Sequence, residues 1–230
     1  MQKPRILCLH GYHGSGDLLR RQMRSLVMGL GSAADFVYVD APSLATGDFG
    51  WWHAVRMSVH GAKGPGVGST RMHYDGWERT RDWVVSVFDR QGPFDGVFGF
   101  SQGATLASLL VGMRAPDQNA TPERPVSFDF AIMVGGFVSN DPSHSRLYEA
   151  RDAFDLPSVH IIGRSDFVVR SSDSHDLASR FVNPLVLEHD GGHVVAATPE
   201  ICARVAAFLA IESRAHSSGS PVGRRRTPLE

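Results

Sequence analysis

Six short apolar runs, cut off by glycine, proline or aspartate and mostly alternating with segments of helical period, constrain this chain of 230 residues more than any other feature. They fall at 5–9, 35–39, 97–100, 128–134, 157–162 and 185–188. Runs this short, apolar without alternation, are the pattern of strands buried on both faces. Between them, Leu18, Leu19, Met23, Leu26, Val27 and Leu30 predict a helix over 17–30. Trp77, Trp83, Val84, Val87 and Phe88 predict another over 75–88, and Ile201, Val205, Phe208 and Leu209 a last one over 199–211. Repeated strand–helix alternation requires a mostly parallel sheet of about six strands, wrapped by right-handed crossovers with helices on both faces. The length fits a single α/β domain over 1–212.

The segment 43–74 breaks this rhythm. It holds Trp51-Trp52 and then the glycine-rich run 61–69. A long stretch without clear period inside a compact domain reads as a lid or binding loop over a site, with Trp51 or Trp52 against the substrate. The plain alternative is an exposed insertion whose tryptophans plug the edge of the core. The tail 213–230, rich in Ser, Gly, Pro and Arg, is expected to be disordered.

Composition excludes several roles. With 23 basic and 24 acidic residues the formal net charge is -1, so there is no nucleic-acid footprint and no membrane-surface patch. The only two cysteines, Cys8 and Cys202, fall in a predicted strand and helix. With no charged leader and no apolar run near the roughly 20 residues that cross a bilayer, this points to a reducing, cytoplasmic setting.

One junction carries the chemistry. Val97-Phe98-Gly99-Phe100 reads as strand, Leu106, Leu109, Leu110 and Met113 as helix, and the turn between them is Gly99-Phe100-Ser101-Gln102-Gly103. This is the G-x-S-x-G nucleophile elbow, in which a tight strand-to-helix turn leaves no room for side chains at the flanking positions. The serine hydroxyl is thereby presented at a helix N-terminus, where amides and dipole favour developing negative charge.

A serine hydroxyl needs a histidine base and an acid that fixes the imidazole. His193 follows Gly191-Gly192 directly after the last core strand, and Asp166 comes off the preceding strand end. The chain order Ser, Asp, His is that of the α/β-hydrolase arrangement. Two other acids lie close in sequence. Asp190 sits in the same loop as His193, too near to be aimed back easily, and Ser172-Asp173 reads as a helix N-cap. Oxyanion donors are expected from the amide of Gln102 and from that of Tyr12 in His10-Gly11-Tyr12. His10 and His13 lack the companions of a zinc set, so no metal and no cofactor are expected.

The segments Leu9-His10-Gly11-Tyr12, Tyr38-Val39-Asp40-Ala41-Pro42, Gly92 through Ala104, His160-Ile161-Ile162-Gly163 with Asp166, and His189 with Gly191-Gly192-His193 together resemble the FSH family of serine hydrolases. The resemblance covers roughly 4–209. It implies the α/β-hydrolase fold, Ser101 as nucleophile, Asp166 as acid and His193 as base. The family includes small esterases and fungal thioesterases that release polyketides. The implied activity is therefore cleavage of a small carboxylic ester or acyl thioester, with an acyl carrier protein as a partner in the thioesterase case. A non-catalytic scaffold on the same fold is the reading of another class, and retention of Ser101, Asp166 and His193 counts against it.

Overall fold

A computed structural model describes residues 3–43, 50–58, 70–115, 125–149 and 154–218. Its centre is a six-stranded parallel sheet. The strands are β1 (Arg5–Leu9), β2 (Asp35–Val39), β5 (Gly96–Phe100), β6 (Phe130–Val134), β7 (Ser158–Gly163) and β8 (Leu185–His189). Their spatial order is β2-β1-β5-β6-β7-β8, and every pairing is parallel. The order reverses between β1 and β5, and in such sheets ligands bind outside the carboxyl ends at the reversal. Ser101 follows β5 directly.

Alternation along each strand splits the core into two layers. Leu7, Leu9, Val97, Ala131 and Met133 pack with α3 (Trp77–Gln91), α4 (Gln102–Gly112), Tyr148 of α5 (Ser145–Glu149) and Leu177 of α6 (Ser171–Ala178). Ile6, Cys8, Phe98, Phe100, Ile132 and Ile161 face the other way, onto α1 (Gly16–Gln22), α2 (Arg24–Leu30) and α7 (Pro199–Ser218). Period-two burial on both sides is what central strands under two helical layers require.

Several boundaries differ from the sequence expectation. The helix expected over 17–30 is two, divided at Met23, whose ψ of -7 departs from helix. The buried stripe Leu19, Met23, Leu26, Leu30 continues across the break. The last helix runs to Ser218, beyond the point where the disordered tail was expected to begin, and 219–230 lie outside the described residues. Helix α3 starts at Trp77 because Asp75 still belongs to a strand and Gly76, at φ 90, turns the chain.

The largest difference concerns 43–74. Within it, β3 (His53–Ser58) and β4 (Thr70–Asp75) form a separate antiparallel pair, from His53 opposite Asp75 to Ser58 opposite Thr70. The glycine-rich run 61–69 lies outside the described residues. Trp51 and Trp52 are 1% and 2% exposed and belong to the larger core cluster. This corrects the expectation that they touch substrate, because neither ring has surface left to offer. The core-plug reading is the one this geometry fits.

Candidate active site

At the elbow, Ser101 holds φ 56 and ψ -120. For a residue with a Cβ this is a strained conformation, costing on the order of 1–3 kcal/mol. The surroundings impose it. A Cβ on Gly99 would run into the backbone of Gly103 and Ala104, and one on Gly103 into the carbonyl of Leu9, so helix α4 sits directly against β5 and β1. The Ser101 amide donates to Val134 O at 2.8 Å, pinning the turn to β6, and its carbonyl accepts from Ala104 and Thr105 to start the helix.

The structure brings the side chains of Asp166 and His193 together. His193 Nδ1 lies 2.6 Å from Asp166 Oδ2, with side chains 16% and 3% exposed. A carboxylate only accepts, so the ring proton sits on Nδ1 and Nε2 is left free to take another. Asp166 Oδ1 accepts from the Val168 and Val169 amides at 2.8 and 2.9 Å, which aims Oδ2 at the ring. Phe100, next to the serine, packs against the imidazole at 4.8 Å, and Gly135 at the end of β6 lies against both His193 and Asp166.

The competing acids are engaged elsewhere. Asp190 Oδ1 accepts from Arg164 Nη1 at 2.7 Å, in solvent. Asp173 pairs with Arg170 at 3.0 Å. It lies inside the first turn of α6, whose N-cap is Arg170, and this corrects the expected capping role.

The loop after β1 is shaped by His10. Ala41 N donates to its Nε2 at 3.0 Å, so Nδ1 carries the proton and donates to Gly11 O at 2.8 Å. Burial lowers its pKa, outweighing the Gly11 contact and the Asp40 charge that raise it, and the ring stays neutral. Gly11 O also accepts from Gly14 N, closing the loop. Gly11 lies against the Ser101 side chain. Among the described residues, neither the Tyr12 amide nor the Gln102 amide donates a hydrogen bond.

Sequence reasoning missed the Gln102 side chain. Its Oε1 accepts from Trp51 N at 2.8 Å and its Nε2 donates to Trp52 O at 2.9 Å. The one available signal was a carboxamide directly after the candidate nucleophile. It also missed that Phe167, 95% exposed, Val168, Val194 and the Tyr12 ring are exposed apolar side chains close in the chain to Asp166, His193 and Gly11. Each directly follows, or is within two residues of, a residue singled out above. Among the described residues there is no cluster of three or more His, Cys, Asp or Glu that could hold a metal, and no helix long and apolar enough to cross a membrane.

A strained serine after β5 at the carboxyl edge of this sheet, with an acid–imidazole pair after β7 and β8, places the chain among the α/β-hydrolases. Solved structures agree on the fold: maize acyl-protein thioesterase 2 superposes with a TM-score of 0.59 over 91% of this chain and 95% of its own at 19% identity. Esterase PE8 gives 0.60 over 91% and 92% at 20% identity. Residues 1–203 match the serine hydrolase (FSH1) family, and the chain belongs to that family. Esterase CG5412 of Drosophila melanogaster is 32% identical over 209 residues, 86% of this chain and 71% of that protein. The Esterase OVCA2 of Xenopus tropicalis is 32% identical over 209 residues, 84% and 86% of the two chains, and the human one 31% over 222, 86% and 93%. The chain is an ester-hydrolysing enzyme.

Proposed function

We propose that the enzyme hydrolyses a carboxylic ester of a small molecule through an acyl-enzyme on Ser101. His193 Nε2 takes the hydroxyl proton as Ser101 Oγ bonds to the carbonyl carbon, and the oxyanion formed is held by the Tyr12 and Gln102 amides. The tetrahedral species collapses with loss of the alcohol, which leaves with the proton from His193. Water, deprotonated by the same nitrogen, then adds to the acyl-enzyme and releases the carboxylic acid and free Ser101. Asp166 keeps the imidazole in the tautomer this sequence needs and stabilises the imidazolium. The observation that carries the reading is the 2.6 Å contact between His193 and a buried Asp166 whose second oxygen is already held by two amides.

Apolar substrate surface is assigned to exposed apolar side chains near Asp166, Val168 among them, rather than to the tryptophans. Beside the acid loop, a cavity of about 350 Å³ is lined by Phe137, Val138, Val168 and Val169, with Asn140, Arg170, Asp173 and Asp176 also lining it. It takes part of the acyl chain. Thioesters follow the same steps with a thiolate leaving group, so release of an acyl chain from a carrier protein is the second form of this reading. Turnover on an acyl-length series of paired oxygen esters and thioesters tests both. The expected result is a length preference that Val168→Asp erases while activity on acetate esters persists. A flat profile in the parent would refute the cavity assignment, and turnover of thioesters alone would select the second form.

A further inference from the structure

Trp51 ties together the two residues or loops whose amides are the oxyanion donors proposed above, which core filling does not require. Its indole Nε1–H donates to His10 O at 2.7 Å, two residues before the Tyr12 amide. Its own amide donates to Gln102 Oε1 at 2.8 Å, and its carbonyl accepts the Thr80 hydroxyl from α3. The indole also stacks on the His10 ring at 4.8 Å and 29°, and that ring is itself fixed to Ala41 and Gly11. One residue therefore spans from the loop after β1, through its rigid indole, to the side chain of the first residue of α4, through its backbone amide.

We propose that Trp51 is a positioning residue for the hydrolytic step: its indole bond to His10 and its amide bond to Gln102 set the spacing between the Tyr12 and Gln102 amides. The inference rests on the ester-hydrolysis reading above. Donors work only within a few tenths of an ångström of 2.7–3.1 Å from where the oxyanion forms, and losing one outright costs about a hundredfold to a thousandfold in kcat. Loosening one donor while it remains present costs less. The effect belongs to the transition state, because the ground-state carbonyl makes weaker use of the same amides.

The test is Trp51→Phe, which keeps a large aromatic ring and removes the N–H. On an acetate ester, kcat falls about tenfold to fiftyfold while KM stays within about threefold. Affinity for a trifluoromethyl ketone, which adds to Ser101 and places an oxyanion at the two amides, weakens by the same factor. Trp77→Phe, another buried tryptophan of the same cluster, keeps both quantities within about twofold of the parent. Should Trp51→Phe not fold, Gln102→Met removes the other tie and shows the same loss of kcat and ketone affinity. An unchanged kcat in Trp51→Phe, a loss confined to KM, or an equal loss of kcat in Trp77→Phe overturns the proposal. Labelling of the parent at Ser101 by a fluorophosphonate separates the two failures: without it the hydrolysis reading fails, and with it only the role of Trp51 is lost.

Discussion

The Asp166–His193 corner and the β3–β4 hairpin are held to the molecule in opposite ways. The corner hangs on two neighbouring strand ends, and β7 pairs with β8 in register from Val159 opposite Leu185 to Gly163 opposite His189. Among the described residues the hairpin's strands pair only with each other, and side chains tie it down. Asp141 Oδ2 accepts from Tyr74 N at 2.7 Å and lies 3.3 Å from His73 Nδ1, the Tyr74 hydroxyl accepts from Asn140 N at 3.0 Å, and the Tyr74 ring stacks on Trp52 at 4.8 Å. On the proposed mechanism, the difference teaches that the sheet fixes the chemistry, while a few replaceable anchors fix what lies beside it. Damage to the corner should therefore act on rate, and damage to the hairpin anchors on stability.

The strongest way to break that contrast is a set of three single substitutions. Asp166→Asn should keep the fold and lower kcat roughly ten-thousandfold, because the wrong tautomer is favoured and the imidazolium loses its counter-charge. Asp190→Asn and Asp173→Asn should stay within about tenfold, since each loses only a solvent-exposed partnership with an arginine. Steady-state turnover on one ester decides it; a collapse in Asp190→Asn with Asp166→Asn active would reverse the assignment.

Asp141→Ala probes the other side. Three buried or half-buried donors lose their acceptor, Tyr74 N, Ser143 N and Ser143 Oγ, so unfolding free energy should drop by about 1–3 kcal/mol. Turnover on an acetate ester should stay within about threefold. Burial raises the pKa of this carboxyl, but the Ser143 hydroxyl and amide, the Tyr74 amide and the His144 charge together bring it below its ordinary value. Its contribution is then present above the usual carboxylate range and lost as pH falls through the lowered value. The stabilities of parent and variant should converge in acid. A rate loss larger than the stability loss would place the hairpin anchor in the chemistry.

An effect that shows only as pH falls is expected at His160 on β7. Burial, helped by the His175 charge, pulls its pKa down to about 3, so the folded state keeps it neutral while the unfolded chain takes up a proton below about 6.5. Stability is lost as pH falls from about 6.5 toward about 3, by up to about 1.4 kcal/mol per pH unit. Other buried histidines contribute as well, so His160→Asn should make the decline of Tm between pH 7 and pH 5 shallower rather than abolish it. An unchanged slope would assign the protons to other groups.

What the sequence revealed follows the same division. The six strands and the residues at their carboxyl ends were legible because burial on both faces leaves unbroken apolar runs, and glycine pairs mark where the chain must turn tightly. Asp166 was preferred over Asp190 and Asp173 for its place at a strand end, for the short chain between Asp190 and His193, and for a capping role of Asp173, where the structure puts Arg170 at the N-cap instead. The hairpin was not legible: β3 reads His53-Ala54-Val55-Arg56-Met57-Ser58, and its mixture of exposed apolar and charged residues gives no face to recognise. Trp51 and Trp52 misled for a related reason. Large aromatics in a segment without period look like ligand contacts, and only coordinates show that Gln102, His10, Tyr74 and Thr80 already occupy them. Anchors such as Asp141 join residues 67 apart in the chain, a separation that no local pattern encodes.

The central claim is that the elbow serine carries the acyl group. Mass spectrometry of the peptide containing residue 101, after a rapid quench during turnover of an activated ester, reads it directly. The account predicts an acyl adduct on Ser101 in the parent, and in Ser101→Ala no adduct with turnover lower by several powers of ten. An adduct on a different residue, or near-parental turnover in Ser101→Ala, would contradict it.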